Sequence, residues 1–235
     1  MDDARRAVEA AAKAGVRLHI GFMRRFDPGY AEAKRRIDAG EIGKPLIFKA
    51  ISRDPASMPL SRVRAGGSGG VFLDSAIHDY DLARWLMGAE VTQVSTLATS
   101  FAEGDARQAG PDTGLVNLWF ANDAVGAAEV YNNARYGYDI RTEVIGSAGT
   151  LRIGHVDDPG WTLLTPNSQR TGHVQGFLDR FAAAYDLEVR DWARRMLTDQ
   201  PAAITGEDGL QALAISIAAR ESGQTGKVVE LASIR

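Results

Sequence analysis

The chain has 235 residues and no cysteine, which removes a disulfide framework, a thiolate metal site and a cysteine nucleophile at once. Long apolar runs are missing as well. No stretch approaches the roughly 18 consecutive apolar residues of a membrane span. The opening MDDARRAVEAAAKAG is polar and Ala-rich with early acids, whereas a secretory signal needs a basic start followed by an apolar block. Charge of one sign is not in excess either. Lys plus Arg number 27 against 30 Asp plus Glu, a net charge of −3, so no basic field marks a nucleic-acid or anionic-membrane partner. Cytoplasm is the expected compartment. What remains is ordinary: 45% hydrophobic and 24% charged residues describe a globular protein of one or two domains.

Periodicity sets the expected organisation. The first segment reads as a helix, with Asp2 and Asp3 at its positive end and Val8, Ala11 and Ala12 at helical spacing up to Gly15. Val16 to Phe22 is short, apolar and alternating, so a strand is expected there, the second half of one helix-to-strand step of a parallel α/β layer. A parallel strand needs neighbours reached through crossovers. The expectation is that the chain starts inside a domain whose earlier part is missing. A helix over Ala31 to Gly40 and a strand over Leu46 to Arg53 follow. Residues 54–70 form a long Pro/Gly loop of the kind that is usually functional. A single helix is expected from Asp74 to Met87, stopped by Gly88. From Val91 the texture changes to short alternating runs, 91–101, 114–120, 124–133, 138–146, 149–154 and 161–165, separated by turn residues. These predict a mostly antiparallel sheet. Helices over Gly176 to Leu197 and Glu207 to Glu221 and a strand at Lys227 to Leu231 close the chain. The fold class is therefore α+β, with an open sheet and helices segregated on one face.

The most informative block is GGVFLDSAIHDYDLARWL, residues 69–86. Four-residue spacing places Asp74 and His78 on one helical face, where a carboxylate beside an imidazole makes a proton-transfer pair for near-neutral pH. The plainer alternative is a helix-capping Asp74 and an ordinary partly buried His78. Asp79 and Asp81 beside the same histidine raise a metal site, but no second histidine or ligand pattern supports one. GGSGG at 66–70 matches neither dinucleotide nor Walker spacing and reads as a hinge for loop 54–70 over a pocket. Arg24 and Arg25 lie just past the carboxyl end of the expected strand 16–22, where open α/β sheets place ligands. Lys34, Arg35 and Arg36 read as a solvated helix face. Tyr136 and Tyr138, flanking Gly137, are expected on one side of a strand, offering hydroxyls to a polyhydroxylated ligand or packing a rim. His19, His155 and His173 are isolated and are assigned no chemistry.

Three blocks in order, GFMRRFDPGYAEAKRRIDAGEIGKP, GGVFLDSAIHDYDLARWL and NARYGYDIRTEVIGSAGTLRI, resemble the Gfo/Idh/MocA family of NAD(P)-dependent sugar and polyol oxidoreductases, most closely its inositol dehydrogenase branch. The first is similar to the family's crossing from dinucleotide-binding to substrate domain, the second to its D-x-x-x-H catalytic helix, and the third to the strand and G-x-x-G-x-L turn lining the substrate site. The resemblance implies that His78 removes a proton from a substrate hydroxyl as hydride leaves the same carbon for the nicotinamide of NAD or NADP, with Asp74 supporting His78. It places Met23 and Arg24 near the nicotinamide and Ser52, Asp54, Ser75, Asp81, Tyr136 and Tyr138 around the polyol. SRDP at 52–55 departs from the typical inositol-branch residues. The family's Gly-rich fingerprint and E-K-P motif do not occur in these residues.

Two units are thus expected: 1–22, the last helix and strand of a dinucleotide-binding domain, and 23–235, a substrate-binding and oligomerisation domain. The chain by itself is expected to bind NAD weakly or not at all. An open sheet face predicts a homodimer or homotetramer. The rival reading is a non-catalytic sugar-binding or assembly protein derived from the substrate domain. A third, a metal-dependent isomerase or lyase on another fold, predicts bound divalent metal.

Overall fold

A computed structural model describes residues 1–55, 69–101, 110–154 and 162–234. Helix α1 (Asp2–Lys13) leads into residues 16–22, then a 3-10 turn (Met23–Phe26) and α2 (Pro28–Asp38). Strand β1 (Pro45–Asp54) is followed by a short α3 (Val71–Asp74) and by α4 (Ile77–Met87). Strands β2 (Val91–Thr99), β3 (Thr113–Phe120), β4 (Val125–Asn132), β5 (Asp139–Gly146) and β6 (Thr150–Ile153) form the body of one sheet. A separate hairpin of β7 (Thr162–Thr165) and β8 (Ser168–Thr171) precedes α5 (Phe177–Arg180), α6 (Ala182–Leu197), α7 (Gly206–Thr225) and β9 (Val229–Glu230).

The large sheet has seven strands in the order β6-β5-β1-β4-β3-β2-β9. Its ladders are antiparallel except for β1 with β4, which run parallel with Ser52 opposite Val130 and Asp54 opposite Asn132. This is the expected α+β class. Alternation sorts the two faces. Phe48, Ala50 and Ser52 of β1, Val116 and Leu118 of β3 and Ala128 and Val130 of β4 point to one side and are buried. Helices α3, α4 and α7 cover that side, with Tyr80, Leu82, Leu86 and Ile215 fully enclosed. Each such aliphatic or aromatic side chain contributes about 1.5–3 kcal/mol on burial. The other side carries Leu97, Leu115, Trp119 and Val125, all exposed.

Local chemistry fixes the ends of these helices. Asp27 caps α2 by accepting the backbone N–H groups of Gly29 and Tyr30, with Pro28 in the first turn, the placement its fixed φ suits. Thr205 and Asp208 form a reciprocal capping box on α7. Gly88 takes the left-handed conformation that ends α4.

Several expectations are corrected. Residues 16–22 enter no ladder: the one sheet-like bond is Ile20 N–H to the Ile204 carbonyl at 3.1 Å, because no described strand lies alongside. The segment instead packs on α7 through Leu18 and Ile20, which sit close to Gly206 and Gly209. The helix expected over 74–87 is two pieces broken at Ser75 and Ala76, and it starts earlier, at Val71, after Gly70 at φ 79°. The helix expected over 176–197 breaks at Phe181, whose ring is fully buried. Strand β8 was not anticipated. Most of loop 54–70 with its hinge glycines Gly66 and Gly67, together with His155, lies outside the described residues.

Candidate active site at the parallel strand ends

Because β1 and β4 run parallel, their carboxyl ends meet at the same edge of the covered face and bring Asp54 beside Asn132. The Asp54 carbonyl accepts the backbone N–H groups of Asn133 and Ala134 at 2.9 and 2.8 Å, locking the exit of β4 against β1. Ser75, in the break between α3 and α4, donates its hydroxyl to Asn132 Oδ1 at 3.2 Å. Ser75 makes this reach from the break between the two helices.

Beneath them lies a buried charge pair. Arg24 of the 3-10 turn is 2% exposed and Asp79 of α4 is 0% exposed. Arg24 Nη1 donates to Asp79 Oδ1 at 2.6 Å, and Nη1 and Nη2 approach Ser52 Oγ at 3.2 and 3.3 Å. The guanidinium stands 5.7 Å from the Phe181 ring centre. Burial alone would lower the basicity of Arg24, but Asp79 beside it carries the group above its ordinary value. Burial raises Asp79 from the usual carboxylate range while Arg24 opposes the rise.

His78 meets Phe22 edge-on, with ring centres 5.7 Å apart at 81°. Its Nδ1 is buried and has no hydrogen-bond partner among the described residues. Burial first, and the Arg24 charge second, push His78 down to about 3, so its imidazole is neutral at physiological pH. Asp54 is raised, first by burial, with Asp74 adding to the rise and Arg24 opposing it; the two carboxylates therefore sense each other. Asp74 itself is exposed. Neither α3 nor α4 has a side-chain N-cap, so Asp74 does not serve as one. Tyr138 is 5% exposed and lies edge-on to Phe181; burial pushes its hydroxyl up to about 12 despite Arg24.

Arg24 is thus the common neighbour of Ser52, Asp54, His78 and Tyr138, with Asp74 acting on Asp54, Ser75 bonded to Asn132, and Met23 buried in the adjoining turn. Two residues part from them. Asp81 faces the other way on α4, where Arg25 grips both its oxygens at 2.8 and 2.5 Å and also reaches Asp208 at 2.9 Å. Tyr136 and Tyr138 do not share a side. Gly137 between them sits at φ 143°, and a side chain there would meet the Val174 carbonyl at 2.8 Å. Tyr136 instead donates to Asp139 Oδ2 at 2.7 Å and accepts from Arg53 Nη1 at 3.0 Å, and Arg53 belongs to the open face. There a shallow depression of about 530 Å³ is lined by Arg53, Leu97, Phe101, Leu115, Tyr131 and Tyr136.

Asn132 is the site residue that the sequence did not single out, and Asp79, raised there only as a metal ligand, is instead the partner of Arg24. Asp79 lies inside the D-x-x-x-H block, and its only sequence signal is a charge on the helix face that also carries Ala83 and Leu86, both buried. No cluster of three or more His, Asp or Glu side chains that could hold a metal ion occurs among the described residues. None of their helices is long and apolar enough to cross a membrane.

Comparison with known proteins places this arrangement in context. The model of an oxidoreductase family's C-terminal alpha/beta domain, that of Gfo/Idh/MocA, matches residues 34–231. Scyllo-inositol 2-dehydrogenase (NAD(+)) of Bacillus subtilis is 40% identical, over 98% of this chain and 67% of its own length. The crystal structure of a probable dehydrogenase from Thermotoga maritima superposes with a TM-score of 0.93 at 36% identity, covering 100% of this chain and 70% of that one. A scyllo-inositol dehydrogenase from Lactobacillus casei, solved with bound NAD(H) and scyllo-inositol, has a TM-score of 0.89 at 32% identity, covering 98% and 70%.

Proposed function

The chain belongs to the Gfo/Idh/MocA oxidoreductase family, and from that premise we propose that it carries the substrate-binding and proton-transfer half of an NAD-dependent dehydrogenase for inositol-type polyols. The observation that carries the reading is the neutral, buried His78 beside Phe22 and Arg24, whose charge also reaches Asp54 at the joined ends of β1 and β4. A neutral imidazole is the form able to accept a proton. With Nδ1 buried, Nε2 is the nitrogen that meets the substrate hydroxyl and takes its proton, while the carbinol carbon becomes a ketone. Asp54 and Asp74 accept hydrogen bonds from neighbouring hydroxyls, Ser75 donates or accepts one, and Tyr138 closes the inner wall. Ser52 lies one layer down and holds Arg24.

A bound nicotinamide would supply the acceptor for the hydride that leaves that carbon. The residues here fit a floor for its ring and not a grip on phosphates: Met23 and Arg24 are buried, and the Nη atoms of Arg24 are engaged by Ser52 and Asp79. Residues 1–22 accordingly read as part of a dinucleotide-binding domain and 23–235 as the substrate and oligomerisation domain, working in the cytoplasm. The exposed Leu97, Leu115, Trp119 and Val125 of the open sheet face read as the seam of a homodimer or homotetramer. Light scattering at micromolar concentration is expected to give a dimer or larger; a monomer removes the seam.

The test of function joins this chain to the dinucleotide-binding half of a relative and follows NAD reduction with myo- and scyllo-inositol, with the unjoined chain in parallel. Turnover in the joined protein that vanishes in His78→Ala is the expected result. A joined protein that binds NAD and oxidises neither polyol sinks the reading.

A further inference from the structure

We propose that Arg24 is a positioning residue for His78, acting through its buried ion pair with Asp79. Helix α4 starts at Ile77 with Ala76 as its N-cap, a residue whose side chain makes no capping hydrogen bond. An uncapped first turn frays, yet this is the turn that holds His78. Asp79, the one acid in that turn, supplies the missing restraint from a different direction. Its carboxylate is fully buried and is tied to Arg24 at 2.6 Å.

Arg24 is in turn fixed from three sides: Ser52 Oγ from β1, the Phe181 ring from the α5–α6 junction, and its own 3-10 turn. The fork therefore ties the start of α4 to β1, next to the strand end where Asp54 stands. A buried ion pair is a poor source of net stability, because desolvation offsets most of the attraction, and its best-attested use is to select one arrangement. Two atoms of this pair, Arg24 Nε and Asp79 Oδ2, have no hydrogen-bond partner among the described residues. A pair kept only for stability would leave neither unmet. The arrangement it selects is the one in which the His78 ring stands edge-on to Phe22.

The charged and titratable groups around this cluster are Arg24 from the 3-10 turn, Asp54 from β1, Asp74 from α3, Asp79 and Tyr80 from α4, Tyr30 from α2, Tyr138 before β5 and Tyr185 from α6, with Arg180 of α5 on the Phe181 ring. Of the two cationic side chains in the turn, Arg25 is engaged with Asp81 and Asp208 on the far side of α4, which leaves Arg24 as the cation of this cluster.

The inference rests on the reading of His78 as the base, and its test is independent of turnover. Imidazole resonances of His78, assigned by their loss in His78→Gln, are followed against pH in the chain without cofactor or polyol. In Arg24→Gln the His78 midpoint is expected to rise by about one unit or more, as loss of a nearby cation requires. Arg24→Lys keeps the charge and the low midpoint but loses the planar fork; the ring-current displacement of His78 by Phe22 is then expected to diminish. A folded Arg24→Gln protein whose His78 titrates and resonates as in the wild type overturns the proposal. If Arg24→Gln does not fold, an Arg24→Lys protein with the full wild-type displacement overturns it equally. Should the joined enzyme fail to oxidise polyols while the midpoint moves as expected, Arg24 keeps its role and only the reaction is withdrawn.

Discussion

Ser52 and Arg53 are neighbours in β1, yet they serve two differently built charge clusters on opposite faces of one sheet. On the covered face Arg24 and Asp79 are sealed from water, joined by one short bond, and each keeps an unmet polar atom. On the open face Arg53 spans Glu129 at 2.6 Å and Tyr136 at 3.0 Å, while Asp139 holds Arg141 through two bonds of 2.7 and 2.9 Å. The first cluster has no spare partner, so losing one member strands a buried charge. The second is redundant: Asp139 keeps Arg141 if Arg53 is removed, and Arg53 is partly solvated. The open-face cluster can therefore lose a member and keep an ion pair, whereas the covered pair cannot.

Four measurements sharpen or break this contrast. The largest effect belongs to His78→Ala, expected to lower turnover of the joined enzyme by about 10²- to 10⁴-fold, the usual range for a general base; a smaller loss would make His78 a binding residue. Next is Asp79→Ala, which strands Arg24 and is expected to cost about 3–5 kcal/mol in urea unfolding. A cost no larger than that of an exposed pair would erase the difference between the faces.

Third is the pH dependence of stability. His78 sits at about 3 in the folded chain against an ordinary 6.5, through burial and then Arg24. Between these values the unfolded chain binds a proton that the folded chain does not, so stability is lost as pH falls below about 6.5. The expected slope reaches about 1.4 kcal/mol per pH unit. His78→Asn should flatten that window, and an unchanged profile would mean the ring is solvated. The smallest effect is Arg53→Ala, expected to cost under about 1 kcal/mol; a loss matching that of Asp79→Ala would show that the open-face cluster is not redundant.

The sequence makes plain whatever depends on local pattern. Alternation in β2 to β5, the Pro28 start of α2 and the Gly88 stop of α4 are all short-range effects, and the D-x-x-x-H block marked the helix pair that carries Ser75 and His78. What stayed hidden depends on partners far along the chain. Arg24 and Asp79 are 55 positions apart, and no periodicity links them. The break at Ser75–Ala76 was invisible because neither residue is a strong helix breaker; it arises where Ser75 turns to reach Asn132. Tyr136 and Tyr138 read as one face because alternation assumes a strand, and the backbone at Gly137 is not one. Residues 16–22 have strand composition without a strand's neighbours, so propensity alone could not make them one.

The single parallel ladder has a consequence for how the protein is made. Strands β2, β3 and β4 pair antiparallel with their neighbours in sequence, which favours early pairing. Strand β1 must find β4 across all of the intervening chain, pairing Ile47 with Val125 and Asp54 with Asn132, and such distant closure is slow. Asp54 meets Asn132 only when that closure is complete. A nascent chain can therefore hold most of its sheet and still lack the junction at which Asp54, Asn132 and Ser75 meet, so this edge is completed at the end of folding.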